Sequence, residues 1–172
     1  MFKYDDIKFR AIDESDLDFL LDIRSDEEVN EHLFTVFPIS KFTQKDWLKN
    51  LLSNNTYKIF MVINEENERV GYLRLNDIDF LNRRVEIGAD IVKNYRGKGY
   101  GKKIYQGLIK YCFDYLNMRK IYLYVFEENE KAISVYKKSG FEIEGILKEH
   151  IFRKGWKNIV MMSLFNTVEE KK

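Results

Sequence analysis

The sequence is poor in the residues that cross-link or interrupt a chain. It contains one cysteine, Cys112, one proline, Pro38, and nine glycines among 172 residues. A single cysteine cannot form a disulfide within the chain, so a disulfide-stapled secreted domain is excluded. Scarce proline and glycine argue against linkers between domains. We therefore predict one domain over residues 1–172, with a disordered tail at 167–172, in the reducing cytoplasm.

The sequence also lacks an excess of charge of one sign and long apolar runs. Lys and Arg total 29 and Asp and Glu total 28, which gives a net charge of +1. Since nucleic-acid-binding domains are usually strongly basic, we predict no nucleic-acid partner. No apolar run approaches the roughly 20 residues of a membrane-spanning helix, so we predict no membrane partner. His32 and His150 are far apart and neither has a ligand cluster, so we predict no metal site.

What the sequence does have is a basic, glycine-rich loop between a strand-like and a helix-like stretch. Three glycines alternate there and three basic residues lie among them: Gly97, Gly99, Gly101, Arg96, Lys98 and Lys102. Glycines at the start of a helix expose backbone N–H groups and the positive end of the helix dipole, and both favour phosphate. The loop lacks the pattern of a P-loop and, with Lys102 in place of the third glycine, that of a dinucleotide fingerprint.

Hydrophobic periodicity predicts a chain that alternates between strands and helices. The predicted strands are 7–11, 57–63, 70–78, 84–92, 120–126, 141–150 and 156–165. Helices are predicted to begin after the capping residues Asp13 and Asn129 and to cover 41–52 and 100–116, and Asp26 is predicted to be a second cap before a short segment that ends near Phe34. The order is β-α-α-β-β-β-α-β-α-β-β.

Two motifs, separated by a predicted strand, resemble the GNAT family of N-acetyltransferases. The residues Arg96-x-x-Gly99-x-Gly101 are similar to the family's acyl-CoA pyrophosphate loop, [RQ]-x-x-G-x-[GA]. The segment 129–141 resembles the family signature N-x-x-A-x-x-x-Y…GF. The resemblance extends over nearly the whole chain. It implies the α/β (α+β) GNAT fold, a mixed sheet of about seven strands with two splayed central parallel strands and about four helices.

The resemblance also implies the cofactor, which is acetyl-CoA as a co-substrate. Its pyrophosphate would lie on the glycine-rich loop and its pantetheine arm along the preceding strand. The implied cofactor-binding residues are Ala89, Asp90, Ile91, Arg96, Gly97, Lys98, Gly99, Tyr100, Gly101, Lys102, Asn129 and Lys131. Asn129 is equally suited to be a plain helix cap, and the basic side chains of the loop to be solvated surface residues.

Acetyl transfer from a thioester to an amine needs a base for the amine and an acid for the leaving thiolate. The resemblance implies Tyr136 as the acid, because a phenol with a reference pKa of about 10 keeps its proton at neutral pH. Glu86, on the strand before the loop, is the implied base. Structural alternatives stay open: Tyr136 as an aromatic core residue, and Glu86 as the ion-pair partner of Arg74, Arg83 or Arg84.

The sequence leaves the amine acceptor open. Trp47, residues 75–79 and residues 144–150 together resemble acetyltransferases of amino-sugar nucleotides, and we favour this small-molecule acceptor. Residues 86–149 also resemble spermidine acetyltransferases, but the aromatic-acidic loop of those enzymes is replaced here by the segment 34–38, FTVFP. Ribosomal-protein N-terminal acetyltransferases and an inactive CoA-binding domain are further alternatives. A homodimer is expected because dimers are common in the family.

Overall fold

The computed structural model describes residues 1–31 and 40–167. His32, the segment 34–38 and residues 168–172 of the predicted tail lie outside the described residues. The strands are β1 (Phe2–Tyr4), β2 (Ile7–Ala11), β3 (Lys58–Ile63), β4 (Arg69–Asp79), β5 (Arg84–Ile91), β6 (Lys120–Phe126), β7 (Glu142–Phe152) and β8 (Trp156–Phe165). The helices are α1 (Leu17–Ser25), α2 (Glu27–Asn30), α3 (Lys41–Ser53), α4 (Tyr100–Lys110) and α5 (Glu130–Lys138).

The predicted order of elements is confirmed, with three local differences. The segment after Asp26 forms the short helix α2, so the described residues have three helices and not two between β2 and β3. β1 was not predicted, because three residues are too few to show alternation; it pairs antiparallel with β2 from Phe2–Phe9 to Tyr4–Ile7. The helix predicted over 100–116 ends as α4 at Lys110 and continues as one π-helical turn. In that turn the N–H of Leu116 donates to the carbonyl of Tyr111 at 3.2 Å.

The described strands form one mixed sheet of eight strands in the order β1-β2-β3-β4-β5-β6-β8-β7. β5 and β6 are its parallel pair, and their register runs only from Arg84–Lys120 to Glu86–Tyr122. β5 continues to Ile91 on the β4 side, and β6 continues to Phe126 on the β8 side. The two central strands therefore part beyond Glu86 and leave a gap in the middle of the sheet.

Apolar side chains cover both faces of the sheet. One core cluster packs beneath α4 and includes Ile104, Leu108 and Cys112, each fully buried. The other lies beneath α1 and includes Leu20 and Met61. Burial raises the pKa of the Cys112 thiol to about 12, as suits a packing residue rather than a nucleophile. No helix in the described part of the chain is long and apolar enough to cross a membrane.

A buried carboxylate, that of Asp16, links the turn before α1 to the sheet. Asp16 is fully buried, and its carboxylate accepts two hydrogen bonds of 2.7 Å from the Arg10 guanidinium and one of 2.8 Å from Arg69 Nε. Burial by itself would raise the pKa of Asp16, but the hydrogen bonds from Arg10, Asp13 N–H and Arg69 outweigh it and the pKa is lowered. Asp16 thereby links β2 and β4 beside the start of α1.

We expect Asp16→Asn to lower the free energy of unfolding by about 3 kcal/mol, because it leaves two guanidinium groups without their shared buried partner. Urea unfolding at neutral pH measures this, and Glu14→Gln, in an exposed pair with Lys45 at 3.5 Å, is the control with little effect. Because the folded pKa is the lower one, the contribution is complete at neutral pH and is lost as the pH falls below 3.8. Equal midpoints for Asp16→Asn and the wild type would contradict this assignment.

Candidate active site

The glycine-rich loop leads from the end of β5 to the start of α4, at the mouth of the gap. Gly97 has φ +73° and Gly99 has φ +87°, and a Cβ at either position would meet no described atom within 4 Å. Gly99 is the N-cap of α4, and no side-chain hydrogen bond from a described residue caps this helix end. The first N–H groups of α4 therefore point into open space at the positive end of the helix dipole. This arrangement fits the phosphate-binding role predicted for the loop.

The side chains of the loop do not all point to one place. Arg96 Nε donates to the Ile91 carbonyl at 2.9 Å, and its guanidinium pairs with Glu28 at 2.5 Å and Asp26 at 3.2 Å. Arg96 thus joins the end of β5 to α2, and its contact with phosphate stays a prediction. Lys98 and Lys102 are exposed on the outside of the loop.

One cleft of about 1020 Å³ fills the gap between β5 and β6 and extends towards α2 and α3. Nine predicted site residues line it: Glu86, Ala89, Asp90, Ile91, Arg96, Gly97, Asn129, Lys131 and Tyr136. The other predicted residues adjoin it along the chain without lining it: Lys98, Gly99, Tyr100, Gly101 and Lys102. Of these, Gly101 is packed, because a Cβ there would lie 3.7 Å from Ile91 Cδ1.

Asn129 and Tyr136 lie at the two ends of α5. Asn129 Oδ1 accepts a hydrogen bond of 3.1 Å from Ala132 N–H, so the predicted helix cap is confirmed while Asn129 also borders the cleft. The Tyr136 ring packs edge-on against Tyr105, with ring centroids 4.9 Å apart, and its hydroxyl accepts a hydrogen bond of 3.2 Å from the Tyr105 hydroxyl. Burial raises the pKa of Tyr136, so the phenol is protonated at neutral pH and can donate.

Glu86 lies where the paired register of β5 and β6 ends. Asn76 Nδ2 donates to Glu86 Oε1 at 3.1 Å, and burial raises the pKa of the carboxyl. Two of the ion-pair partners considered for Glu86 are engaged elsewhere, since Arg84 pairs with Asp79 at 3.3 Å and Arg74 with Asp90 at 2.6 Å. A partly buried carboxylate with a raised pKa is suited to accept a proton near neutral pH.

Sequence reasoning named Arg74 only as a possible partner of Glu86 and missed that its side chain crosses the cleft floor to Asp90. Arg74 on β4 lies opposite Gly88 on β5 and reaches past it to Asp90. A Cβ at Gly88 would stand 2.8 Å from Arg74 Cζ, so the guanidinium occupies the space that a side chain would take. Only the strand register brings these residues together, and the sequence offered no signal for it.

Aromatic residues of three other elements complete the far end of the cleft. Tyr57, directly before β3, and Tyr124 on β6 line it, as does Trp47 on α3. The Arg24 guanidinium lies 5.0 Å from the centroid of the Trp47 ring, and Arg24 Nη1 donates to Gln44 Oε1 at 3.3 Å. Of these residues only Trp47 was singled out from the sequence. Helical spacing places Arg24 at the end of α1, but only the packing of α1 on α3 brings it to the cleft.

Comparisons with known proteins agree with this geometry. A family model described as acetyltransferase (GNAT) domain matches residues 6–142. Spermidine N(1)-acetyltransferase of Escherichia coli (strain K12) is 30% identical over 160 residues, which are 92% of this chain and 86% of that protein. The structure of spermidine N-acetyltransferase from Vibrio cholerae in complex with CoA and spermine has a TM-score of 0.88 at 26% identity and covers 93% of this chain and 95% of its own. L-amino acid N-acetyltransferase AaaT of Escherichia coli (strain K12) is 35% identical over 89 residues, 50% of this chain and 54% of that protein.

We expect Gly99→Val to weaken acetyl-CoA binding about tenfold or more, about 1.4 kcal/mol, because the added side chain fills the open space in front of the loop backbone. Isothermal titration with CoA measures the change. Gly155→Val is the matched control, since Gly155 also has a positive φ, +134°, and open space around its Cβ position, but lies in the turn between β7 and β8. If CoA affinity falls equally in the two variants, backbone strain and not blocked access causes the loss. Unchanged affinity in Gly99→Val would contradict the prediction.

Proposed function

The chain belongs to the GNAT family and is an acetyl-CoA-dependent N-acetyltransferase, and we propose that its acceptor is the primary amine of a small cationic molecule of the polyamine class. The carboxylates of Glu31 and Glu86 carry this proposal, because they line the cleft and pair with no cation among the described residues. The other two carboxylates of the cleft, Asp90 and Glu28, are neutralised by Arg74 and Arg96. Tyr57 and Tyr124 add aromatic surface, which attracts alkylammonium groups.

The relatives support this acceptor better than the amino-sugar nucleotide that the sequence favoured. The Escherichia coli protein is named for spermidine, and the Vibrio cholerae structure holds spermine. Spermidine and spermine bear several ammonium groups and no anion. Such a molecule matches a cleft whose unpaired carboxylates stand among aromatic rings.

The residues that line or adjoin the cleft have separate roles in the proposed reaction. Backbone groups of residues 89–91 and the loop at 97–101 hold the pantetheine arm and pyrophosphate of acetyl-CoA, which supplies the activated acetyl group. Glu86 takes a proton from the acceptor ammonium, directly or through water, and Asn76 holds the carboxylate in place. Tyr136 donates its proton to the departing sulfur. Because the cleft holds both reactants, proximity contributes much of the rate enhancement.

A second candidate acceptor is an amine that also carries an anionic group, such as an amino acid. Arg24 favours it: the guanidinium lines the same cleft, is half-buried against Trp47 and pairs with no carboxylate among the described residues. A half-buried guanidinium is a good partner for a carboxylate. The similarity to the amino-acid enzyme AaaT, over half of this chain, is consistent with it.

Thiol release from acetyl-CoA, measured with spermidine, an L-amino acid and a 4-amino sugar nucleotide in parallel, tests the proposal. We expect turnover with spermidine, and in Glu31→Gln a KM for spermidine about tenfold higher, about 1.4 kcal/mol, since an unpaired carboxylate of the cleft is lost. Arg24→Gln is the matched control and should leave that KM unchanged. Turnover of the amino acid instead, lost in Arg24→Gln and kept in Glu31→Gln, would establish the second candidate.

Glu86→Gln should lower kcat about 10²–10⁴-fold, because the acceptor then loses its base. In the wild type we expect kcat/KM to fall as the pH drops through the pKa of Glu86, which burial raises above 4.5, because the base works only when deprotonated. The pH profile of kcat/KM for both proteins measures this, and the acidic limb should vanish in the variant. Glu144→Gln, whose carboxylate pairs with Lys120 at 2.6 Å outside the cleft, is the control. An acidic limb that persists in Glu86→Gln would remove Glu86 from the mechanism.

We also propose a homodimer, which the exposure of β7 supports. Ile143 and Ile146 of this edge strand are each 47% exposed, and Phe152 and Trp156 at its turn are each 62% exposed. Apolar side chains on a sheet edge are a ready surface for a second copy. The cytoplasmic location predicted from the single cysteine stays a prediction.

A further inference from the structure

The Tyr136 hydroxyl is hydrogen-bonded to a buried hydroxyl, that of Tyr105, which has no role in the proposed reaction described above. Tyr105, on α4, is 5% exposed and lies beneath Tyr136 in the core cluster that α4 covers. Its hydroxyl is 3.2 Å from the Tyr136 hydroxyl, and its ring also packs edge-on against Phe141 at 6.4 Å. A phenylalanine would fill this apolar site equally well, so the Tyr105 hydroxyl needs its own explanation. A buried hydroxyl is costly unless it is hydrogen-bonded.

The direction of this hydrogen bond decides where the Tyr136 proton points. Each phenol has one proton, so only one of the two hydroxyls can donate to the other. When Tyr105 donates, the proton of Tyr136 is free for the cleft that the Tyr136 side chain lines. The Tyr105 side chain also lines the cleft, and in the opposite direction the Tyr136 proton would be held by the Tyr105 oxygen and would not be free for another group there.

We infer that Tyr105 is a positioning residue for acetyl transfer: its hydroxyl donates to the Tyr136 oxygen, directs the Tyr136 proton into the cleft and stabilises the phenolate left after that proton moves to sulfur. The inference rests on the proposed function, in which Tyr136 is the acid. In that step the amine nitrogen bonds to the acetyl carbon and the C–S bond breaks with its electron pair on sulfur. The Tyr136 proton joins the sulfur, the acylated nitrogen releases its extra proton to water, and the phenolate regains a proton from water.

The chemistry of the leaving group explains why such help is needed. A phenol has a reference pKa of about 10 and the thiol of cysteine one of about 8.5, so a tyrosine is not a stronger acid than a thiol and its proton is not drawn to a thiolate without help. Burial raises the pKa of Tyr136 further, whereas the hydrogen bond from Tyr105 lowers it. The charged groups that face Tyr136 act in opposite directions, since Asp90 raises this pKa and Arg74 lowers it, and the two are paired with each other. The Tyr105 hydroxyl therefore makes Tyr136 a stronger acid without placing a charge in the cleft.

Tyr105→Phe tests the inference, because it removes one oxygen and keeps the ring contacts with Tyr136 and Phe141. We expect kcat to fall about 10- to 100-fold, as for loss of a hydrogen bond to a charged group, with CoA affinity and the urea midpoint close to the wild type. Tyr111→Phe, which removes a hydroxyl on the π-helical turn outside this cleft, should keep full turnover.

A double-mutant cycle with Tyr136→Phe separates positioning from a structural role. Tyr136→Phe alone should lower kcat about 10²–10⁴-fold while CoA affinity is retained. If Tyr105 acts through Tyr136, adding Tyr105→Phe to this variant causes no further loss. Multiplied losses in the double variant, or full turnover in Tyr105→Phe, would overturn the inference.

A titration without any acceptor keeps the inference separate from the proposed function. In protein with ¹³C-labelled tyrosine rings, the NMR signal that Tyr136→Phe removes reports the ionisation of Tyr136. We expect this signal to titrate at higher pH in Tyr105→Phe than in the wild type, because the donor that stabilises the phenolate is gone. An unchanged titration would overturn the inference even if an acceptor is found. A shifted titration with no turnover of any amine would instead mean that the proposed function fails.

Discussion

The short parallel register between β5 and β6 is the constraint on which the site depends. The two strands hold each other only as far as Glu86 and Tyr122, and beyond that point each pairs with its outer neighbour alone. Beyond Glu86, the edge of β5 that faces β6 is not paired with β6. An extended pantetheine arm can lie along this edge and bind its backbone groups, as an additional strand would. The gap between β5 and β6 also places Glu86, the proposed base, Tyr136, the proposed acid, and Gly97 at the start of the loop on the walls of one cleft.

Arg74 sets the charge where β4 and β5 border that cleft. Arg74 lies over Gly88, neutralises Asp90 and stands between that carboxylate and Glu86. A substitution at Gly88 would displace the guanidinium and leave Asp90 unpaired, so the glycine matters for the floor of the cleft and not for a turn. Together with the Arg96–Glu28 pair, this leaves Glu31 and Glu86 as the cleft carboxylates without a cationic partner among the described residues, which the proposed acceptor would meet.

The parts of the site that share a local stretch of chain could be predicted from the sequence, and the parts joined by packing could not. The loop glycines and the Asn129-to-Tyr136 spacing are local patterns, and the structure puts both beside the gap. Strand boundaries were close because apolar runs end at turn residues. Tyr105 looked like one more apolar residue of α4, and its contact with Tyr136 depends on how α4 and α5 meet. Likewise, Arg74 and Asp90 are brought together by the register of β4 with β5.

The burial of Cys112 has a practical consequence for measuring this enzyme. A colorimetric disulfide reagent detects released CoA by its thiolate, and a reactive protein thiol would add a background signal. This chain has one cysteine, fully buried in the core, and its thiol, with a pKa of about 12, is almost entirely protonated at neutral pH. The folded protein should therefore not react with such a reagent. Colour that appears without an acceptor then reports hydrolysis of the thioester or unfolding of the chain.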